Sequence, residues 1–274
     1  MFLTPYTSLN WVYQLHYYLG FRTYRRRPLF EEINRTIIEQ ALTEICGRHD
    51  YHLLKSQIYA DQLRCVLSLQ PQQAVARTVQ TIKANATRIC REKSLLRDEV
   101  WARGYLALST GRMQIAAVRQ YLDSQAKHHG YATRLLPPVF GYRTTQPINL
   151  STAHSKCDLN YHLVFATWER RGVFTAGLGE RLVQYWLRVA AKHSFAIDQV
   201  SVVPDHVHLL VRLPPMMTVE DCGLALLSNS QHFIGQRYGE MLIQAKVPRL
   251  WQPSGYAGTC GEVTTALVKT WLDS

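Results

Sequence analysis

Two histidines separated by a single residue, His206 and His208, lie in VSVVPDHVHLLVRL, a segment whose polarity alternates as in a β-strand. A strand repeats its facing every two residues, so both imidazoles project from one face, within reach of one metal ion. Asp205 precedes the pair, and Leu209-Leu210-Val211 continue it as an apolar run suited to burial. Taken alone, such a pair reads more often as packing or surface histidines than as metal ligands. The six cysteines form no C-x-x-C pair, which argues against a zinc ribbon or a thioredoxin-like motif. Several of them sit in apolar stretches and read as small core residues.

Cationic groups form the second chemical signal. Arg25, Arg26 and Arg27 make one run and Arg170 with Arg171 another, with Tyr24, Phe30, Trp168 and Phe174 beside them. Such a surface would grip phosphates and stack on bases, although a solvated charged edge has the same composition. The formal net charge of +11 over 274 residues points to a polyanionic partner, nucleic acid or an anionic membrane. With 47% hydrophobic and 19% charged residues the chain is not a disordered one. The N-terminal MFLTPYTSLNWVYQL lacks a secretory leader pattern, and no apolar stretch is long enough to span a bilayer. The expectation is a soluble, cytoplasmic, nucleoid-associated protein with no membrane partner.

The elements that position these residues occur twice. LHYYLGFRTYRRRPLF, from Leu15, matches LNYHLVFATWERRGVF, from Leu159, at Leu15, Tyr17, Leu19, Phe21, Thr23, Arg26, Arg27 and Phe30. The same spacing aligns Asp61-Gln62-Leu63-Arg64 with Asp205-His206-Val207-His208. Trp101, Gly104-Tyr105, Gly111 and Leu122-Asp123-Ser124 then answer to Trp251, Gly255-Tyr256, Gly261 and Leu272-Asp273-Ser274 after a small drift. Three windows in one order indicate a duplication.

Each copy reads as strand, helix, two strands, helix, strand and a terminal helix. In the first copy these are Trp11–Tyr24, Glu31–Arg48, Leu53–Tyr59, Leu63–Leu69, Ala74–Glu92, the Gly-Tyr strand and Met113–Gln125. In the second they are Asp158–Trp168, Gly179–His193, Gln199–Val203, Val207–Leu213, Val219–Tyr238, the Gly-Tyr strand and Thr264–Leu272. This is the split-βαβ, ferredoxin-like pattern of an α+β fold, twice in tandem. Residues 1–125 form the first repeat and 157–274 the second. The Pro-, Gly-, Ser- and Thr-containing stretch 126–156 is the linker.

PDHVHLLVRLPP together with YHLVFATWERRGVF resembles the TnpA and REP-associated transposases, the single-tyrosine branch of the HUH nucleases. The resemblance covers both repeats. It implies a divalent metal, Mg²⁺ or Mn²⁺, on the His pair and a nucleophilic tyrosine on the last helix. It also implies a glutamine ligand one turn later, a 5′-phosphotyrosine intermediate, and work on single-stranded DNA hairpins as dimers in which the tyrosine helix can dock in trans.

The two copies depart from that pattern in complementary ways. The first keeps the tyrosine, Tyr121, and four residues on the glutamine, Gln125, which leave one helix face together. In place of the His pair it has Gln62 and Arg64, and a guanidinium cannot ligate a metal. The second keeps His206 and His208 but has Trp271 at the tyrosine position. By itself Tyr121 would read as an ordinary packing residue, and Tyr105 and Tyr256 read as core residues beside the final helices. The expectation is an intramolecular pseudo-dimer with one composite site, Tyr121 attacking and His206, His208 and Gln125 holding the metal. Further self-association is left open. The degenerate site (Gln62, Arg64, Trp271) is expected to hold DNA, with Arg64 on a phosphate and Trp271 stacked on a base, and Arg25, Arg26, Arg27, Arg170 and Arg171 are further DNA contacts. The function expected is metal-dependent nicking and strand transfer. The alternative is a catalytically inactive, domesticated protein that binds DNA or RNA hairpins.

Overall fold

Leu15 is buried at a break inside the strand expected over Trp11–Tyr24, and Leu159 is buried at a break one residue into the strand expected over Asp158–Trp168. The architecture follows from those two breaks. In the computed structural model, which describes residues 4–32, 35–94, 99–128, 139–145, 150, 155–264, 268 and 271, the first repeat opens with β1 (Asn10–Gln14) and β2 (His16–Arg22). It continues through α1 (Leu29–Glu32), α2 (Arg35–Arg48), β3 (His52–Tyr59), β4 (Gln62–Ser68), α3 (Val75–Ser94), β5 (Tyr105–Thr110) and α4 (Ile115–His128). A short β6 (Phe140–Arg143) follows. The second repeat comprises β7 (Ser155–Asp158), β8 (Asn160–Ala166), α5 (Ala176–Lys192), β9 (Ala196–Val203), β10 (His206–Arg212), α6 (Val219–Arg237), α7 (Gly239–Gln244) and β11 (Ser254–Cys260). Of the expected final helix, Val268 and Trp271 are described and are helical.

The strands form two sheets, ordered β3-β4-β2-β5-β7 and β1-β11-β8-β10-β9-β6. In each, the strand carrying the His pair or its counterpart lies antiparallel between two strands that run the same way, β3 and β2 around β4, β9 and β8 around β10. The helices between them cover one face. In α5, Leu178, Leu182, Val183, Trp186 and Val189 form a buried stripe at three- and four-residue spacing, and Thr175 caps the start by accepting from the Leu178 amide. Thr218 and Asp221 close a capping box at the start of α6. Both helices press onto the inward row of the second sheet, where Val207, Leu209 and Val211 are fully buried. Mixed α/β architecture with two sheets agrees with the expected fold class.

The breaks at Leu15 and Leu159 let each repeat lend its first strand to the other. β1 pairs in parallel with β11, from Asn10↔Ser254 to Gln14↔Gly258, and β7 pairs in parallel with β5, from Tyr105↔Ser155 to Leu108↔Asp158. The stretch expected to be linker is therefore partly structural. α4 extends into it, β6 pairs antiparallel with β9, and β7 begins within it.

Where the two sheets meet, two hydroxyls make the same pair of bonds. Ser109 Oγ accepts from the Asn160 amide at 2.8 Å and donates to the Cys260 carbonyl at 2.7 Å. Thr259 Oγ1 accepts from the His16 amide at 2.9 Å and donates to the Thr110 carbonyl at 2.6 Å. The backbones touch at this seam, and a Cβ on Gly111 would lie 1.9 Å from the Thr259 carbonyl oxygen. Gly111→Ala is therefore expected to cost at least about 2 kcal/mol in a urea titration. Gly141→Ala, where a Cβ meets nothing within 4 Å, should stay within about 0.5 kcal/mol of the parent chain.

Candidate active site

β10 places His206 and His208 on one face, with ring centroids 4.9 Å apart, and both are buried. Their orientation is set by groups from the basic turn and from the neighbouring strand. The Thr167 amide donates to the Asp205 carbonyl at 2.9 Å, and Thr167 Oγ1 bonds the Arg171 carbonyl at 2.6 Å, which ties the turn to the start of β10. In that turn Glu169 and Arg170 adopt left-handed backbone conformations, as Arg25 and Arg26 do in the first copy. Arg170 Nε then donates to Asp205 Oδ2 at 3.0 Å. The other carboxylate oxygen of Asp205 lies 2.6 Å from His206 Nδ1. A carboxylate can only accept, so Nδ1 carries the proton, and the Arg170 nitrogen 3.2 Å from it is a close neighbour rather than a donor. His208 Nδ1 in turn lies 3.1 Å from Nε2 of His162 on β8, the rings stacked at 5.3 Å. Burial lowers the His162 pKa to about 4, so at neutral pH this partner is uncharged.

α4 lies over the opposite face of the same sheet from α5 and α6. Val118 and Leu122 bury against Leu210 and Cys260, with Ile115 and Tyr121 packed alongside. Arg119 pairs at 2.5 Å with Asp198 of β9, and Gln199 Nε2 donates to Asp123 Oδ1 at 2.7 Å. Here a helix of the first repeat is docked on the sheet of the second. The Tyr121 ring stands edge-on to His208 at 5.6 Å and to His162 at 6.2 Å between centroids. Tyr121 and the His pair, 85 and 87 residues apart in the chain, thus meet in one place. The helix carries the backbone of Gln125 one turn on; its side chain lies outside the described residues.

The family model described as "Transposase IS200 like" matches the chain twice, at residues 11–125 and 155–274. The chain belongs to the IS200-like transposases. The ISDra2 transposase TnpA of Deinococcus radiodurans is 28% identical over 116 residues, 42% of this chain and 83% of that protein. The transposase for insertion sequence element IS200 of Salmonella typhimurium is 28% identical over 118 residues, 43% and 77%. A solved REP-associated tyrosine transposase bound to a REP hairpin aligns over 47% of this chain and 73% of that one, with 13% identity and a TM-score of 0.30. The two transposases matched by sequence each cover a length of about one repeat, whereas this transposase chain carries two.

The first sheet of this transposase holds the counterpart site in altered form. Arg64 Nε donates to Gln62 Oε1 at 3.0 Å, and the guanidinium lies 4.6 Å from the Tyr59 ring centre. Trp271 packs with Leu106 and Leu108, against Tyr18 and within 3.0 Å of where a Gly20 Cβ would be, and Arg22 lies 4.9 Å over its ring. A tryptophan only 3% exposed cannot stack on a base, so the expected DNA role of Trp271 is replaced by a packing role. Phe30 and Phe174 are likewise core residues, leaving Tyr24 and Trp168 as the accessible aromatics of the basic turns. Arg25 and Arg26 are exposed, Arg25 5.2 Å over the Tyr24 ring, and Arg27 is half-buried. Arg170 is engaged by Asp205, and Arg171 binds Glu169 at 2.9 Å and the Ala245 carbonyl at 3.0 Å. Tyr256, expected in the core, is 38% exposed and edge-on to His162 at 5.8 Å.

His162 was hidden in sequence because it sits in the apolar run YHLVF, and no spacing rule links it to His208. Its one signal was its odd polarity on an otherwise apolar strand. Among the described residues no group of three His, Cys, Asp or Glu side chains is placed to hold a metal. The two imidazoles on one strand face are nonetheless donors of the kind that ligate divalent ions. With Nδ1 committed on both His206 and His208, Nε2 is the nitrogen that each would offer.

The docking of α4 rests on its ion pair as well as its apolar stripe. Arg119→Met would leave the buried Asp198 carboxylate without that cation, so α4 is expected to loosen. Hydrogen exchange should show amides of 115–123 exchanging at least about tenfold faster, with those of β8 and β10 unchanged.

Proposed function

We propose that this chain is a metal-dependent nickase and strand transferase of single-stranded DNA, working at one composite site. In this reading two ferredoxin-like, HUH-type units form an intramolecular pseudo-dimer. Tyr121 is the nucleophile, and His206, His208 and Gln125 hold Mg²⁺ or Mn²⁺. The observation that carries the reading is the edge-on approach of Tyr121, from one repeat, to His208, from the other, at 5.6 Å.

The bound cation would supply Lewis-acid polarisation of the scissile phosphate. The remaining work falls to the chain. Asp205 and neutral His162 fix the two imidazoles, so that no reorientation is needed when the phosphate arrives. The buried setting of the pair keeps the local dielectric low. Tyr121 Oη attacks phosphorus, the bond to the 3′ oxygen breaks, and that oxygen takes up a proton to become a free 3′-OH. The phosphate stays on Tyr121, joined to the 5′ end of the other fragment. Attack by a different 3′-OH reverses the step and joins two strands with no outside energy source. Exposed Arg25 and Arg26, and the net charge of +11, suit a polyanionic substrate such as a DNA hairpin with single-stranded flanks. One composite site makes one cut per chain, so excision of a segment at both ends needs two chains or two successive reactions.

Covalent capture tests the reading. The protein is incubated with Mn²⁺ and a pool of single-stranded DNA hairpins, and any adduct is mapped by mass spectrometry. An adduct on Tyr121 that disappears in Tyr121→Phe and in His206→Ala is the expected result. Hairpin binding with no adduct would make the chain a binding module instead. The ligand arrangement is tested separately by calorimetric titration with Mn²⁺. His208→Ala should abolish measurable binding, His162→Phe should weaken it about 10- to 100-fold, and Tyr121→Phe should leave it unchanged.

A further inference from the structure

The outward face of the second sheet continues past the histidines as an apolar, partly aromatic surface. In register across four strands lie His208, Val164, Tyr256 and Val12. The neighbouring row, Val207, Phe165, Gly255 and Trp11, faces the other way into the core, where Trp11 and Phe165 meet edge-on at 5.8 Å. The His208 row is therefore the outward one. Along it, burial falls from the catalytic pair towards the edge, and Tyr256 is 38% and Val12 73% exposed. With strands about 4.8 Å apart, Tyr256 stands roughly 10 Å from His208.

The Tyr256 ring has a defined pose. It reaches along β11 over Gly258, where an added Cβ would lie 2.6 Å from its hydroxyl oxygen, and it meets His162 edge-on at 5.8 Å. His162 also touches Tyr121. Nucleophile, positioning histidine and Tyr256 thus form one continuous run of rings, with the metal-binding pair beside it.

We infer that Tyr256, flanked by Val12, is a stacking platform for a nucleobase of the single strand next to the scissile phosphate. The inference rests on the proposed function. The occupant is a DNA base because the platform is continuous with a site whose substrate is a phosphodiester, because the chain is strongly cationic, and because an aromatic face accepts any base. Tyr256 is a binding residue here and takes no part in bond making. Gly258 is what allows its ring to lie along the sheet.

The test reads binding without chemistry, in EDTA, using the full chain with Tyr121→Phe. The probes are fluorescein-labelled dT15 and a 15-unit abasic deoxyribose-phosphate backbone of equal charge. Adding Tyr256→Ala should weaken dT15 roughly 5- to 100-fold while changing abasic binding less than about twofold. Tyr256→Phe should restore the parent preference for dT15, and Gly258→Ala, which displaces the ring, should reproduce part of the loss. Equal affinity of the parent and Tyr256→Ala for dT15, or an equal loss on both probes that Tyr256→Phe fails to rescue, overturns the platform alone. Failure of the parent to bind dT15 at all overturns the platform, and failure to bind a DNA hairpin with single-stranded flanks as well overturns the proposed function with it.

Discussion

The paired hydroxyl clasp of Ser109 and Thr259 is the constraint on which the rest of the molecule depends. Each hydroxyl ties the end of one repeat's last strand to the start of the other repeat's sheet. With the backbones that close, Gly111 has no room for a side chain, and the chain leaving β5 is directed onto the second sheet rather than back over its own. The chain leaving β11 is directed the opposite way. Exchange of the terminal helices follows from that crossing. It brings a tyrosine from one repeat to the histidines of the other.

Once the helices are exchanged, the two helix docks are free to differ, and they do. Under α4 the face combines a small apolar cluster with the Arg119–Asp198 pair and leaves the histidines beside it. Under the Trp271 segment the histidines are gone, and Gly20 makes space for an indole that Arg22 covers. Arg64, which stands where His208 stands, is turned onto Tyr59 and Gln62. The second dock has therefore become structural in its chemistry. A cation there would repel a metal ion, and a buried indole offers no nucleophile.

Much of this was legible in the sequence, because repeats and alternation are local signals. The duplication, the strand bearing His206 and His208, and the helix bearing Tyr121 could all be read from spacing. The breaks at Leu15 and Leu159 could not, since a strand that changes sheets keeps the same polarity pattern as one that does not. The same holds for β6, four residues among prolines and glycines that become a strand only because β9 offers an open edge. His162 and Tyr256 were missed or placed in the core for a related reason. Their roles depend on neighbours across strands, and register is fixed by tertiary pairing rather than by the residues themselves. Phe30 and Phe174, whose position beside arginines suggested base stacking, and Trp271, which stands at the tyrosine position of the altered site, show the converse, aromatic residues that are buried in the core.

The pairing of β1 with β11 also sets an order of assembly. β1 is made before every other described strand, and its partner is the last of them, with Asn10 lying against Ser254. During synthesis the early segment must wait, unpaired, until β11 has emerged. Trp11, whose indole bonds Glu220 of α6, waits with it. Contacts so far apart in the chain are slow to form, because a long loop must close before they contribute. The nascent first repeat therefore carries an open edge and an unshielded tryptophan. That makes it the species most exposed to mispairing with another copy, and the stage at which a chaperone would matter most.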